Sequence, residues 1–446
     1  MVHCRRNSRK KFMDWSPMSN EKNLHADVLI IGGGLVGLAA SHSLARAGAK
    51  VICVDSGHFG EHQSSQNWGF VRQQGRGLGE LDLMIEANKR WQELSDLLEQ
   101  EVSWEKGGNL AVFDTPDEEE SYRQWMREGR SRGIDTNYLD LDGIKQHIPN
   151  WKRSVRGGIF AGEDGHADPQ TVVAAYIAAC REVGVQLLAD TPVRTLLRRG
   201  STIIGAQTEA GILQAGTTVV AAGAWSRQLL STAGIDLPQN YVVGSVALTT
   251  PVAPLTNATV WGGGFSFRQR RDGRFVCSVG GGGVVRLNTD SILQAPLFLS
   301  AFRKNWRRFA LRPGIRPAKD LNAVIRGGQT IREIGPPAAR VRTSEPIRAL
   351  KQLQQTLTGT ENARLQDSWA GVIDSTPDTL PVIDAQGGPD GLVIATGFSG
   401  HGYGLVPALG PIICDLVLRS QSSFDLSNFR LDRFNAGAFK APNAVL

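Results

Sequence analysis

The stretch from Val28 to Asp55 constrains this 446-residue chain more than any other part of it. An apolar run, Val28-Leu29-Ile30-Ile31, leads directly into Gly32-Gly33-Gly34-Leu35-Val36-Gly37. A helical pattern of Leu38, Ala39, Ala40, Leu44 and Ala45 follows and stops at Gly48. The order reads as strand, phosphate-binding turn and helix. Gly32 permits the tight turn, Gly34 lets the backbone approach a pyrophosphate, and Gly37 lets helix pack on strand. Leu35 and Val36 open the helix, whose free N–H groups face the anion. A second apolar run, Val51 to Val54, then delivers Asp55 and Ser56. An acid at this spacing suits ribose hydroxyls and rejects a 2′-phosphate. The runs Gly262 to Gly264 and Gly280 to Gly283 lack a following helical period and read as bends or loops.

The chain is longer than one core usually supports, so two domains are expected. No stretch reaches the ~20 apolar residues that span a bilayer. The nearest, around Ile30 and Ile412, are cut by glycines or by Asp415. Residues 1–25 carry +4 of the chain's net +6, through Arg5, Arg6, Arg9, Lys10, Lys11 and Lys22 against Asp14 and Glu21. They lack the apolar core of a secretion signal and read as a disordered basic extension. Such an arm leaves peripheral membrane association open, while the mild charge of the remainder implies no nucleic-acid partner. Cys4, Cys53, Cys180, Cys277 and Cys414 show no paired spacing, which fits reduced thiols in the cytoplasm and no metal site.

Farther along, Ser64-Ser65-Gln66-Asn67-Trp68 precedes a helical period from about Leu78 to Gln100, and a charged helix runs from Pro116 to Gly133. Asp168-Pro169 caps a helix that reaches Gly184. Short strands end in Ala221-Ala222-Gly223-Ala224-Trp225-Ser226. Tyr241 to Leu365 reads as strands and loops, with Asp272-Gly273 as a two-residue hairpin turn. A nucleotide-domain pattern returns at Trp369-Ala370-Gly371. A helix from about Val406 to Leu418 closes the chain. The expected organisation is α/β: a Rossmann-like nucleotide domain (26–75, 157–240, 366–440) beside a mixed α+β domain with a large antiparallel sheet (76–156, 241–365).

The order of these motifs, with Thr376-Pro377-Asp378, Pro381 and Gly397-Phe398-Ser399-Gly400-His401-Gly402-Tyr403-Gly404, resembles the D-amino acid oxidase superfamily. The likeness covers about residues 26 to 420 and extends to its glycine oxidase and sarcosine oxidase branches. It implies FAD, held by Gly32, Gly34, Gly37 and Asp55 at the ADP half. Ser64, Ser65, Asn67 and Trp68 would lie near the pyrophosphate and ribityl chain, with Val193, Ala222, Gly223 and Trp225 near adenine. Gly371 and the run Gly397, Gly400, His401, Gly402, Tyr403, Gly404 and Leu405 would lie at the flavin ring. The implied activity is oxidation of the C–N bond of an amino acid, with a secondary amine (an N-substituted amino acid, an iminodiacid or an opine-like conjugate) as the expected substrate. A 2-hydroxy acid or D-amino acid dehydrogenase and a non-catalytic flavin-bearing subunit are the alternatives. Oxygen or a quinone would accept the electrons, and a homodimer is compatible. The Asp-Gly and Gly-Asp motifs of aromatic-ring hydroxylases do not appear at the expected places.

The chain also departs from the resemblance. Where glycine oxidase has an arginine after Trp-Ala-Gly, this chain has Ile373 followed by Asp374, and where sarcosine oxidase has a lysine it has Gly404. Arg72, Arg268 and Arg326 become the candidates for a substrate carboxylate, His401 a candidate beside the flavin, and Asp374 a partner for a cationic or hydroxylated group. Cys414 does not match the position of the flavin-tethering cysteine, so FAD is expected to be non-covalent.

Overall fold

The computed structural model describes residues 24–280, 283–287, 291, 294–305, 309–313, 339–435 and 439. Arg326 and most of the basic N-terminal extension lie outside them. Strand β1 (Leu24–Ile31), helix α1 (Leu35–Arg46) and strand β2 (Val51–Val54) form the expected unit. β1 runs parallel both to β2 and to the strand Gly211–Val220. The sheet continues through Gln186–Leu188 on one side and Leu392–Thr396 and Val382–Asp384 on the other, eight strands in all with the hairpin Val193–Arg199 and Thr202–Thr208. A parallel sheet is covered on both faces, which explains why Val28 to Ile31 and Val51 to Val54 are uninterrupted and buried.

Helix α1, the helix Pro169–Glu182 and the final helix Gly402–Arg419 pack on one face of that sheet. The final helix begins four residues before its apolar run predicts, directly after His401. By length and composition it could cross a membrane, yet Leu405, Leu409 and Ile413 are fully buried in the nucleotide-domain core. The expected helix from Leu78 to Gln100 is two helices, Leu81–Gln92 and Leu94–Leu98. The charged helix Pro116–Ser131 starts on a capping box in which the Thr115 hydroxyl and the Glu118 carboxylate each accept a backbone N–H.

The second sheet has ten strands, mostly antiparallel, around a core that includes Phe265, Phe267 and Phe275. The Asp272-Gly273 turn is longer than expected. Arg270 and Arg274 close the hairpin, and Gly273 takes the left-handed position (φ +81) of a three-residue loop. Two strands expected in the nucleotide domain belong to this sheet instead. Leu365–Ser375 pairs along its length with Asn240–Thr249, and Gly157–Ala161 pairs with Asn109–Phe113. The choice of sheet depends on partners far away in sequence.

Candidate functional site

A cavity of about 1040 Å³ runs from the α1 N-terminus, past the start of the final helix, to the face of the second sheet. At its first end Gly32 has φ +111, and a Cβ there would lie 2.3 Å from the Ala221 carbonyl oxygen. Gly37 packs so closely on the turn that a Cβ would fall 1.9 Å from the Gly32 carbonyl oxygen. No side chain caps Gly34, the residue before α1, and no acid sits in the first helical turn. This helix end therefore offers N–H groups and positive dipole to the cavity, which fits a diphosphate. Ser64 Oγ accepts the Leu35 N–H at 2.9 Å, placing its hydroxyl at the same point. Asp55 accepts backbone N–H groups from Gly33 (2.7 Å) and Gly57 (2.9 Å), so it braces the glycine turn as well as lining the cavity.

The walls also include Leu35, Val36, Ser56, Asn67, Trp68, Val193, Ala222, Gly223, Trp225, Gly371, Gly400, His401, Gly402 and Tyr403. Five expected contacts lie elsewhere. Gly37 faces the Gly32 carbonyl. Ser65 donates its hydroxyl to the Gly60 carbonyl at 2.6 Å. Gly397 donates its N–H to Asp374 at 3.1 Å. Gly404 accepts at its carbonyl from the Trp91 indole at 2.8 Å, and Leu405 is buried in the core.

The substrate candidates separate sharply. Arg268 does not line the cavity. Its Nε donates to the Trp68 carbonyl, and its Nη2 is 3.7 Å from Asp168, so it holds the Trp68 loop from behind. Asp374 is neither solvated nor in a loop. It lies on the strand Leu365–Ser375, 3% exposed, and accepts from Gln63 Nε2 (2.9 Å), Gln239 Nε2 (2.9 Å) and the Gly397 N–H. With three donors it ties the second sheet to the nucleotide domain at the cavity wall, while burial raises its carboxyl above the ordinary range. Arg72 does line the cavity. Its guanidinium stacks over Trp261, 4.2 Å from the ring centroid, and donates to the Gln74 carbonyl. Burial pushes it down to about 9.

Three side chains that matter here have no motif in the sequence. Arg76 lines the cavity, fully buried, with Nε donating to the Arg72 carbonyl at 3.2 Å. The space beside Gly404 is taken first by Met84, 3.2 Å from where a Cβ would sit, and then by the Arg76 Nη2 at 3.8 Å. Glu80, 1% exposed, places Oε1 2.6 Å from His401 Nδ1. Burial alone would raise its carboxyl, but His401, Arg76 and Arg72 outweigh that and hold it below the ordinary range. Asp164, fully buried, accepts from the backbone N–H groups of Gln73 (2.9 Å) and Gln74 (3.1 Å), bracing the loop that carries Arg72. A two-residue strand followed by a loop offers no periodicity, and these contacts join residues up to 321 positions apart, so only the charged residues before Leu81 hinted at them.

Among the described residues no group of three His, Cys, Asp or Glu is placed to hold a metal ion. Cys53, Cys180 and Cys277 are buried, and no described cysteine lines the cavity.

The model of the FAD dependent oxidoreductase family (DAO) matches residues 27–416. An N-methyl-L-tryptophan oxidase from Escherichia coli O81 (strain ED1a) is 27% identical over 423 residues, covering 92% of this chain and 99% of that protein. The fold is shared with L-amino acid deaminase from Proteus myxofaciens (TM-score 0.84, 21% identity, covering 93% of this chain and 95% of that one). It is also shared with iminodiacetate oxidase from Chelativorans sp. BNC1 (TM-score 0.70, 16% identity, covering 91% and 98%). The chain belongs to the DAO family of FAD-dependent oxidoreductases.

Proposed function

We propose that this chain oxidises the C–N bond of an amino acid whose nitrogen is a secondary amine: an N-substituted amino acid, an iminodiacid or an opine-like conjugate. The observation that carries the reading is the pair of buried guanidiniums, Arg72 and Arg76. Both line the cavity, Arg72 donating to the Gln74 carbonyl and Arg76 to the Arg72 carbonyl. Burial makes both cations costly, Glu80 and Asp164 offset part of that cost, and a ligand carboxylate in the cavity adds a further counter-charge. Arginine offers it a planar fork of donors. Trp261 fixes the plane of Arg72 and Asp164 fixes the backbone behind it, so the anchor is set before the ligand arrives.

FAD supplies the acceptor for hydride leaving the carbon next to the amine, and water hydrolyses the resulting imine. The protein's part is to hold the carboxylate, orient the amine and shield the site. Trp261, Tyr122 and Phe265 form the walls opposite the nucleotide turn. FAD is non-covalent in this reading: Cys414 lies on the final helix with its thiol at the Ser43 carbonyl, 3.7 Å away. The buried cysteines fit a cytoplasmic protein, with oxygen or a membrane quinone as electron acceptor. The E. coli relative and the Chelativorans structure are named for substrates that are secondary amines, which favours this class over a 2-hydroxy acid. The test compares an N-methyl amino acid with the same amine lacking its carboxylate. A fall of about tenfold or more in kcat/KM on removing the carboxylate supports the reading, since a hydrogen-bonded charge contributes about 1.5–3 kcal/mol; equal turnover contradicts it.

A further inference from the structure

We propose that Glu80 is the positioning residue for His401, fixing its imidazole with Nδ1 turned to the carboxylate and Nε2 presented to the cavity as a hydrogen-bond acceptor. The inference rests on the cavity being the flavin and substrate site, and assigns a role to a side chain that touches neither. His401 lies just before the final helix, and it lines the cavity while only 5% exposed. Its Nδ1 faces Glu80 Oε1 at 2.6 Å, and Nδ1 and both Glu80 oxygens are otherwise buried without hydrogen-bond partners. Two polar groups so enclosed are tolerated only because they meet each other.

The surrounding charges decide which of the two holds the proton. Arg76 and Arg72 face the pair from the loop before Leu81, and Tyr403 follows on the final helix. Burial and then Arg76 lower His401, against the raising effect of Glu80. Glu80 is held ionised by the same neighbours. At neutral pH the imidazole is therefore neutral, its proton sits on Nδ1 toward the carboxylate, and Nε2 keeps its lone pair. Without the carboxylate the ring loses the partner that selects this tautomer.

The experiment uses the FAD-loaded protein and the variants Glu80→Gln, His401→Asn and the double substitution. Three readouts are taken: FAD affinity by reconstitution, the pH titration of the visible flavin spectrum, and anaerobic flavin reduction by an N-methyl amino acid. If Glu80 acts through His401, Glu80→Gln keeps FAD affinity near that of the parent. Its spectral pH transition moves down by about one unit or more, because a charge that favours the imidazolium is gone. The double variant then reduces within about twofold of His401→Asn alone. An unshifted transition, multiplicative rate losses, or loss of FAD in Glu80→Gln each overturn the assignment. Should no amino acid reduce the parent, the proposed substrate class fails, while the spectral titration still decides the role of Glu80.

Discussion

At the Gly32–Asp55 end of the cavity one strand–turn–helix–strand stretch leads, with residues 60–67, 191–194 and 221–232 completing the walls, whereas at the Arg72–His401 end no stretch leads and the walls come from five separate ones. These are the loop carrying Arg72 and Arg76, the helix Pro116–Ser131, the loop Trp261–Gly264, the central strands of the second sheet, and the start of the final helix. The first end is centred on residues at fixed spacing: Gly37 answers the Gly32 carbonyl inside the turn, and Gly32 in turn answers the Ala221 carbonyl beside the strand Gly211–Val220. The second is specified by pairings that exist only once the domains close on each other. The phosphate-binding turn is written in one short stretch, and the surface for a particular substrate is distributed along the chain.

The largest effect expected from breaking this contrast is at the local end. Gly37→Val puts a side chain into the Gly32 carbonyl, where a Cβ would already be 1.9 Å away. The turn and the helix cannot both stay in place, so loss of FAD and of several kcal/mol of stability is expected. Flavin absorbance after purification and thermal melting check it.

At the distributed end, Arg72→Met leaves a ligand carboxylate with one fewer charged donor. A fall of roughly 10- to 100-fold in kcat/KM is expected, from the about 1.5–3 kcal/mol that such hydrogen bonds contribute. FAD content stays at the parent level, and Arg76→Met behaves alike. Steady-state kinetics beside the flavin spectrum measure both. Arg268→Met should instead loosen the Trp68 loop and lower stability, since its guanidinium is committed there.

These outcomes also mark what the sequence made legible. Gly32, Gly34, Gly37 and Asp55 could be read because a phosphate-binding turn needs particular residues at fixed spacing. The second sheet was visible as strands, but the placement of Leu365–Ser375 depends on Asn240–Thr249, more than a hundred residues earlier. Arg72 was found because it follows the Ser64 loop. Arg76, Glu80 and Asp164 were not, since a charged residue before a helix usually faces solvent and nothing local shows that a distant histidine will meet it. Arg268 lies behind the wall, held by the Trp68 carbonyl and Asp168, and Asp374 lines the cavity with its carboxylate already engaged by Gln63, Gln239 and Gly397, because charges that look free in sequence find partners when the domains dock.

A smaller effect is expected for Asp55→Ala, which removes acceptors for Gly33 and Gly57 and a ribose contact. FAD affinity should weaken by about 1.5–3 kcal/mol, with turnover at saturating FAD little changed. Reconstitution of apoprotein with FAD reads this directly, and an unchanged dissociation constant would detach Asp55 from the nucleotide.

The smallest effect is a change in pH slope. Burial pushes Asp164 up to about 6, against hydrogen bonds from Gln73 and Gln74 and the charge of Arg72. An acid whose folded value exceeds its ordinary 3.8 contributes stability that is complete below about pH 4 and is lost as pH rises through about 6. Melting temperatures of Asp164→Asn should therefore fall less, or rise more, than those of the parent between those limits. Parallel curves would show that Asp164 titrates no differently in the folded chain.

The most direct measurement is anaerobic mixing of the yellow holoprotein with a panel of N-substituted amino acids, 2-hydroxy acids and D-amino acids, following loss of the visible flavin band. The account predicts that an N-substituted amino acid bleaches the flavin fastest, by a wide margin over the other classes. Bleaching led by a 2-hydroxy acid, or by none of the panel, would contradict it.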